Sequence, residues 1–407
     1  MISAKDRQII KDLALKVAEI SAHPLQDIKR KEWIRHNKMQ HLAPRVLIFP
    51  FDCWKEIIPA DILEVSHPYL REIEFELRKK IYHWEHFRDD TVIEPFINIP
   101  CVMDEHQDWG LGIKHQHSTK IDGAYGFLPT LVDEEDLHKM MSITHEYTFD
   151  DDETLRRIAM VKDIVGDALQ VDAYVPFYTA SLVFELIHLR GFSQMLLDFY
   201  DNPDFFHKVM GYMCDSMLHV FKTMEKEKRL TLNNRDQYLP SGSLGYSDEL
   251  PQDGFDGHVR LKDLWGFADT QEFTDVSPPM WQEFAFNYQL KLLKEFGLIS
   301  YGCCENLDKK LDHVLTIPNI RKISISPWTD IRLAAQKIER KAIFCRKPNP
   351  AKVIFGFHKD NLKKEIEELL QVAGRCNLEI VLKDIQTCNG HPEHLKEWVD
   401  ITQACCK

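Results

Sequence analysis

The sequence lacks a hydrophobic segment of the kind that crosses a membrane or directs secretion. An uncharged stretch at residues 173–184 is shorter than the ~20 residues that a membrane-spanning helix needs. Near the N-terminus, Lys5, Asp6 and Arg7 interrupt what would be the apolar part of a signal peptide. We therefore expect a cytoplasmic protein with no membrane partner, whose ten cysteines stay reduced and build no disulfide framework.

Positive charge is also scarce. The 51 lysines and arginines are outnumbered by 64 aspartates and glutamates, which gives a formal net charge of −13. Because so acidic a chain repels a phosphate backbone, nucleic acid is not expected as a partner. The sequence has no internal repeat and no low-complexity tract. Its 407 residues are enough for one large barrel or for two ordinary domains.

Residues 296–347 alternate between short apolar runs and amphipathic stretches. Apolar runs at 296–301, 320–326 and 341–345 predict buried strands, and the stretches at 307–315 and 331–338 have the apolar spacing of helices. Polar residues gather where each apolar run ends. This arrangement is typical of a parallel α/β barrel, whose site lies at the carboxyl ends of the strands.

The rest of the chain raises the number of predicted strands to nine, one more than a (β/α)8 TIM barrel holds. They lie near residues 45, 96, 170, 231, 265, 300, 323 and 343, and at 378–382. Either the strand near 45 or the strand near 231 is expected to lie outside the barrel. We expect residues 1–90 to form an N-terminal helical extension and residues 91–407 to form the barrel domain.

The predicted strand ends carry thiols, carboxylates, cations and aromatic side chains. They include Trp265, Asp269, Tyr301, Cys303, Cys304, Glu305, Trp328, Asp330, Cys345, Arg346 and Lys347. Thiolates beside a carboxylate are potential zinc ligands, although buried cysteines also serve as small hydrophobic residues. Elsewhere, His115 and His117 would point to the same side of a strand, as a partial metal site or as part of a surface hairpin.

Four segments of the second half carry a resemblance to a known family. They are MLLDFYDNP at 195–203, DVSPPMWQEF at 275–284, GCCENLDK at 302–309 and ISISPW at 323–328. From about residue 169 onward the chain resembles the uroporphyrinogen decarboxylase superfamily. The last three segments resemble its branch of cobalamin (corrinoid)-dependent methyltransferases, which includes methyltransferase I of O-demethylases. The resemblance implies a (β/α)8 barrel with N-terminal helical additions, and a homodimer is common in the superfamily.

The resemblance also implies a zinc site. The coenzyme M methyltransferases of the family bind zinc through a His-x-Cys at one strand end and a Cys after the last strand. Here Tyr301 takes the His position, so that only Cys303 and Cys388 carry over. Glu305 is the first candidate for the third ligand, with Cys304 or Cys345 as alternatives. The missing His indicates methyl transfer from an ether or amine rather than activation of coenzyme M.

The function that the resemblance implies is zinc-dependent transfer of a methyl group from a methoxylated aromatic or methylamine-like substrate to a Co(I) corrinoid. The chain has no Asp-x-His-x-x-Gly motif for cobalt, so the corrinoid is expected on a partner protein. Zinc would act as a Lewis acid on the atom that carries the methyl group. Asp269, Glu305 or Asp330 would protonate the leaving group.

Further residues are candidates for binding the substrate. Arg346 and Lys347 would hold a substrate carboxylate, or would form an ion pair at the barrel rim instead. Trp265, Tyr301 and Trp328 would line an aromatic pocket, or would simply pack in the core.

Two other functions stay open. The first is a metal-independent decarboxylase or lyase acting on a small carboxylate, which activity without zinc would favour. Porphyrinogen itself is not expected as the substrate, because the family's Met-Arg-Gln-Ala-Gly-Arg motif is absent and VLIFPFDCW stands at 46–54. The second is a non-catalytic binding protein, which a separation of Cys303 from Cys388 would favour.

Overall fold

Six parallel strands form the central sheet of the computed structural model, which describes residues 2–105, 108–117, 125–176 and 178–407. In spatial order the strands are Arg45–Ile48, Asn377–Leu382, Ile343–Arg346, Ile320–Ile325, Leu298–Tyr301 and Trp265–Ala268. Because all of them run in one direction, their carboxyl ends meet along one edge. The strands predicted within 296–347 are confirmed.

A second, two-stranded parallel sheet pairs Phe96–Pro100 with Gln170–Tyr174. The chain after it joins the central sheet, because the Ala180 N–H donates to the Phe267 carbonyl at 2.7 Å. Eight parallel strands are thus shared between two sheets, which confirms an α/β fold built on parallel strands. Within the described ranges, backbone hydrogen bonds do not close these strands into a ring.

The strand predicted near residue 231 is wrong, whereas the one near 45 belongs to the central sheet. In the segment around residue 231, side chains make the hydrogen bonds that the backbone of a strand would make to its neighbours. Thr231 Oγ1 accepts from the Val175 N–H, and the Asn233 amide exchanges two hydrogen bonds of 2.9 Å with the backbone of Trp265. The Arg45–Ile48 strand lies inside the predicted extension 1–90, so part of that extension enters the sheet. The boundary at residue 90 stays a prediction.

Helices connect and cover the strands. They span Ala4–Ser21, Pro24–Asn37, Trp54–Ile57, Pro68–Tyr82, Glu134–Met141, Asp151–Val165, Leu182–Arg190, Phe192–Asp201, Pro203–Lys226, Pro278–Trp281, Asn287–Leu293, Leu311–Val314, Ile331–Ile338, Pro350–Ile354, Lys359–Ala373 and Glu393–Cys405. The first begins at a capping box formed by Ser3 and Asp6 and buries Ile10, Ala14 and Val17 on one face. None of the helices in the described part of the chain is long and apolar enough to cross a membrane.

Short antiparallel hairpins decorate this framework. They pair Met103–Asp104 with Thr148–Phe149, Lys114–His117 with Tyr125–Leu128, and Tyr238–Leu239 with Ser243–Leu244. In the second hairpin the exposed His115 lies against the ring of Phe127, with centroids 5.1 Å apart. The side chain of His117 lies outside the described residues, so a joint metal site of the two histidines stays a prediction.

The Tyr238–Leu244 hairpin packs on one face of the central sheet, here called the inner face, around a buried ion pair. Lys322 Nζ lies 2.6 Å from both Glu379 Oε1 and Ser243 Oγ. The ring of His36 lies 3.2 Å from the same Glu379 oxygen. Since a buried charge is tolerated only when it is paired and hydrogen-bonded, this network fixes the hairpin against the sheet.

Candidate active site

Three neighbouring stretches at the carboxyl edge of the sheet bring thiols and charged groups together. Asp269 follows Trp265–Ala268, and Cys303, Cys304 and Glu305 follow Leu298–Tyr301. The third stretch follows Asn377–Leu382 and contributes Lys383 and Asp384. The predicted convergence of Asp269, Cys303 and Glu305 is therefore seen in the structure.

The carboxylate of Glu305 is buried and held by backbone donors. It accepts from the N–H of Cys303 at 2.7 Å and from the N–H of Thr270 at 3.1 Å. Gly302, with φ +91°, makes the turn that brings Cys303 back onto this carboxylate. Glu305 is thus hydrogen-bonded to the segments that follow two adjacent strands, Trp265–Ala268 and Leu298–Tyr301.

Asp269 is the carboxyl most affected by the charge of Glu305. Burial raises the pKa of Asp269 well above its ordinary range, and the charge of Glu305 raises it further. The Ser181 hydroxyl donates to Oδ1 of Asp269 at 2.5 Å, which opposes the shift. Its environment therefore favours the protonated form of Asp269 more than that of an exposed aspartate, which suits a proton donor.

The two adjacent thiols lie beside Lys383 and Asp384. The Sγ atoms of Cys303 and Cys304 are 3.6 Å apart, Lys383 Nζ is 3.7 Å from Cys303 Sγ, and Asp384 Oδ2 is 3.7 Å from Cys304 Sγ. The hydrogen bond from Cys303, together with the charge of Lys383, lowers the pKa of Cys304. Of the two sulfurs, Cys304 therefore ionises more readily and is the more reactive.

Cys388 lies in a different environment from Cys303. Its thiol donates to Glu56 Oε2 at 3.0 Å, and it neighbours Cys53. Both oxygens of Glu305 are already occupied by backbone N–H groups. Cys303, Glu305 and Cys388 do not place three ligand atoms within 4.8 Å of one another, so as they stand they do not fit the predicted three-ligand zinc site.

One other group of potential metal ligands occurs in the rest of the described chain. There, only His391, Glu393 and His394 place three ligand atoms within 4.8 Å of one another. His391 and Glu393 are exposed and already form an ion pair of 2.9 Å. This group is a surface contact and offers no reason to expect a metal.

The alternative third ligand Cys345 and the predicted substrate ligand Lys347 face the inner side of the sheet. Cys345 Sγ is 3.0 Å from Glu379 Oε2 and 2.9 Å from Lys347 Nζ, and Lys347 also donates to the Gly242 carbonyl. Arg346 donates to the carbonyl of Ser326 at 2.6 Å. These groups are engaged with the protein, so carboxylate binding by Arg346 and Lys347 stays a prediction.

Asp330 and Trp328 lie together on the surface. Asp330 caps the helix Ile331–Ile338 by accepting from the N–H groups of Arg332 and Leu333. Trp328 is 66% exposed and lines a shallow cleft with Cys304. The structure therefore gives Asp330 a capping role and leaves Trp328 at the edge of the site.

Tyr301 and Trp265 face opposite sides of the sheet. The Tyr301 hydroxyl is fully buried against Gln289, at 3.1 Å, in the layer between sheet and helices. Trp265 lies on the inner face, donates from its indole to the Gly245 carbonyl at 2.8 Å and lines a cavity. Of Tyr301 and Trp265, only Trp265 lies where a substrate could reach it.

This cavity has a volume of about 630 Å³ and lies between the helix Pro68–Tyr82, the strands Phe96–Pro100 and Trp265–Ala268, and the segment around residues 233–240. Its size suits a small-molecule site. Tyr238 links it to the thiols. This side chain lines the cavity, and the charges of Lys383 and Cys303 act on its phenol, whose pKa is raised mainly by burial.

Several residues of this site were not selected from the sequence. Lys383 and Asp384 stand at a predicted strand end, and the rule that picked out Cys303 would also have found them. Ser181 and Tyr238 gave no such signal, because they come from an uncharged stretch and a long loop whose paths only the folded chain defines.

Comparisons with known proteins bear on the fold. No protein-family model matches the sequence, and a search of curated protein sequences finds no match. Among solved structures, a methyltransferase from Methanosarcina mazei matches with a TM-score of 0.52, over 92% of this chain and 98% of that one. The sequence identity is 10%, so the likeness shows a shared fold and nothing finer.

Proposed function

We propose that the protein is a methyltransferase that moves a methyl group from a small methylated substrate to a Co(I) corrinoid carried by a partner protein. Support comes from the fold shared with a methyltransferase and from the resemblance of four sequence segments to corrinoid-dependent enzymes. The proposal includes the cytoplasmic location and the methoxylated aromatic or methylamine-like donor expected from the sequence.

The observation that carries the proposal is the pair of buried carboxyl groups at this edge, Asp269 bound by Ser181 and Glu305 bound by two backbone N–H groups. Two carboxyl groups whose environments separate their protonation states can divide acid and electrostatic roles. Burial, and then the charge of Glu305, raise the pKa of Asp269 and favour its protonated form. Its Oδ2 atom has no hydrogen bond to any residue that the structure describes, so the proton can point away from Ser181 toward a bound substrate.

Atoms and electrons balance in this transfer with the methyl donor, the corrinoid and one proton as the reactants. The bond between the methyl carbon and its oxygen or nitrogen breaks, and the electron pair stays on that heteroatom. The acceptor supplies the electron pair for the new bond to carbon, and its Co(I) is thereby oxidised by two electrons. The freed heteroatom takes the proton of Asp269, which leaves a carboxylate that solvent reprotonates.

Zinc has no step in this mechanism, because its predicted ligands do not converge. Glu305 is bound to two backbone N–H groups, and Cys388 is bound to Glu56. Zinc binding therefore stays a prediction, which metal analysis of the purified protein tests.

We further propose that the two parallel sheets belong to one eight-stranded barrel. At one end of the central sheet, beside the strand Trp265–Ala268, the Asn233 side chain is hydrogen-bonded to the Trp265 backbone. At the other end of this sheet, on the free edge of the strand Arg45–Ile48, Asp89 accepts from the Ile48 N–H and Asp90 accepts from the Val46 N–H. Such side-chain bridges satisfy the strand edges in place of a ladder.

One observation favours each of the two alternative functions. An acid of raised pKa beside a carboxylate also suits a metal-independent lyase, which needs no methyl acceptor. The separation of Cys303 from Cys388 favours a non-catalytic binding protein, by the criterion set from the sequence. We rank methyl transfer first because it agrees with the fold comparison as well.

The experiment compares methyl transfer by wild type, Asp269→Asn and Asp312→Asn, with cobalamin reduced to Co(I) as acceptor. Asp312 is a matched control, because it is an exposed aspartate paired with Lys337. We expect Asp269→Asn alone to lose activity, by about 10²–10⁴-fold as for removal of a general acid. Equal activity in all three proteins would refute the role of Asp269.

A further inference from the structure

The wall of the 630 Å³ cavity is rich in aromatic rings. Eight of its 25 described lining residues are aromatic, whereas aromatic residues make up 11% of the chain. They come from five separate parts of the fold and include Tyr69, Phe96, Tyr174, Tyr178, Tyr238 and Trp265. Aromatic faces that surround a cavity attract a cation through their negative electrostatic potential.

The charged side chains on the cavity wall also favour a cation as the ligand. Three carboxylates line the cavity, on Glu72, Glu76 and Asp236, against one cation among the described lining residues, Lys80. Lys80 Nζ donates to the carbonyl of Phe96 at 2.7 Å, so its charge is already engaged by the backbone. The formal charge of the wall is therefore negative, which disfavours an anion and favours a cation.

Asp236 is the carboxylate best placed to receive a cation. Its Oδ1 atom is buried and has no hydrogen-bond partner within the described ranges of the chain. Leaving a buried carboxyl oxygen unpaired is costly, and a bound cation would remove that cost. Burial raises the pKa of Asp236 and the charge of Lys80 lowers it, so a second cation bound beside it would favour the ionised carboxylate further.

We propose that this cavity binds a methylated ammonium cation, so that the methyl donor is a quaternary or tertiary methylamine rather than a neutral methyl ether. The inference rests on the proposed function for the fate of the methyl group, but the binding itself can be measured alone. The aromatic rings would surround the N-methyl groups, and Asp236 would neutralise their charge. The step is the transfer described above, with nitrogen as the heteroatom that keeps the electron pair.

The location agrees with this assignment. Tyr238 lines the cavity and also lies within the electrostatic reach of Lys383 and Cys303. Tyr238 therefore connects the cavity to the carboxyl edge of the sheet, which also carries Asp269. The amine released by transfer needs a proton to leave as an ammonium ion, and Asp269 provides it.

Isothermal titration calorimetry tests the binding with choline and its neutral isostere 3,3-dimethyl-1-butanol, in which carbon replaces the charged nitrogen. Wild type should bind choline at least about tenfold more tightly than the alcohol, the factor expected for a cation among aromatic faces. Asp236→Asn should remove most of that difference. Asp253→Asn, an exposed residue of the same loop that does not line the cavity, should keep it.

Equal binding of choline and the alcohol, or binding of neither, would overturn the inference, and this comparison needs no variant. A protein that binds no ammonium but transfers methyl from 4-methoxybenzoate to Co(I) cobalamin would keep the proposed function and lose this inference. A protein that binds choline selectively but transfers methyl from neither compound would keep the binding site and lose the proposed function.

Discussion

The hydroxyl of Ser181 donates to Oδ1 of Asp269 at 2.5 Å and accepts from the Asp269 backbone N–H at 3.2 Å. This double contact fixes the carboxyl in one orientation. Because Ser181 begins the helix Leu182–Arg190 while Asp269 ends a strand, the contact also ties two elements together at the site. The contact leaves Oδ2 of Asp269 available to a substrate, as a general acid requires.

Asp269 should make the stability of the protein fall as pH rises. Its folded-state pKa is raised by burial, so its contribution is fully present below the pKa of the unfolded chain, and is lost as pH rises through the folded value. In Asp269→Asn this loss should be absent, so that urea denaturation shows a flatter decline of unfolding free energy with pH. An identical pH dependence in both proteins would mean that Asp269 is ionised in the folded state.

The buried pair Lys322–Glu379 should be the most sensitive point of the inner face. Burial acts to raise the pKa of Glu379, but Lys322 and the hydrogen bonds from His36 and Cys345 hold it well below its ordinary range. Glu379→Gln leaves Lys322 buried without its counter-charge, which should cost about 3–5 kcal/mol in urea denaturation.

The matched control for that pair is the double variant Lys322→Met with Glu379→Gln, which removes both charges and should recover part of the loss. Because the folded pKa of Glu379 is depressed, its contribution is present above the unfolded pKa and is lost as pH falls through the folded value. A double variant less stable than Glu379→Gln at neutral pH would contradict this reading of the pair.

Cys304 should be the fastest cysteine to react with iodoacetamide. The hydrogen bond from Cys303 and the charge of Lys383 lower its pKa, whereas burial raises the pKa of Cys376 to about 11. The rate should therefore rise with pH and level off at a pH below the ordinary thiol pKa. Mass spectrometry should show that Cys304→Ser removes the fast phase and Cys376→Ser keeps it. A fast phase that survives Cys304→Ser would place the thiolate elsewhere.

Cys303 and Cys388 should behave as independent residues. Their partners differ, because Cys303 lies beside Cys304 and Cys388 donates to Glu56. The changes in unfolding free energy of Cys303→Ala and Cys388→Ala should add in the double variant to within about 0.5 kcal/mol. About one zinc per chain that is lost in both single variants would show instead that the two thiols share a metal.

Strand positions could be predicted because a buried parallel strand leaves a local signature. The apolar runs at 298–301, 320–325 and 343–346 are bounded by polar or glycine residues, and each became a strand. The run near 231 has a similar composition but pairs through the side chains of Thr231 and Asn233. Local sequence does not distinguish a hydrogen-bonded ladder from side chains that take its place.

The candidate site was predicted in part, for a related reason. Residues at the ends of adjacent strands converge whatever their loops do, and so Asp269 and Glu305 were found. Cys388 was predicted at the mouth from its position after the last strand, but its contact there is with Glu56, which follows the strand Arg45–Ile48 and which the sequence did not single out. The capping role of Asp330 could have been predicted from the sequence, since an aspartate directly before a helical stretch is a common N-cap.

The most direct test of the central claim is transfer of an isotope-labelled methyl group. The wild-type protein would be incubated without oxygen with Co(I) cobalamin and choline whose methyl groups carry carbon-13, and the fate of the label followed by NMR. Our account predicts a labelled methyl group bonded to cobalt and an equal amount of demethylated amine, both strongly reduced in Asp269→Asn. Label that stays entirely on choline, and likewise on carbon-13-labelled 4-methoxybenzoate, would contradict the assignment of the protein as a methyltransferase.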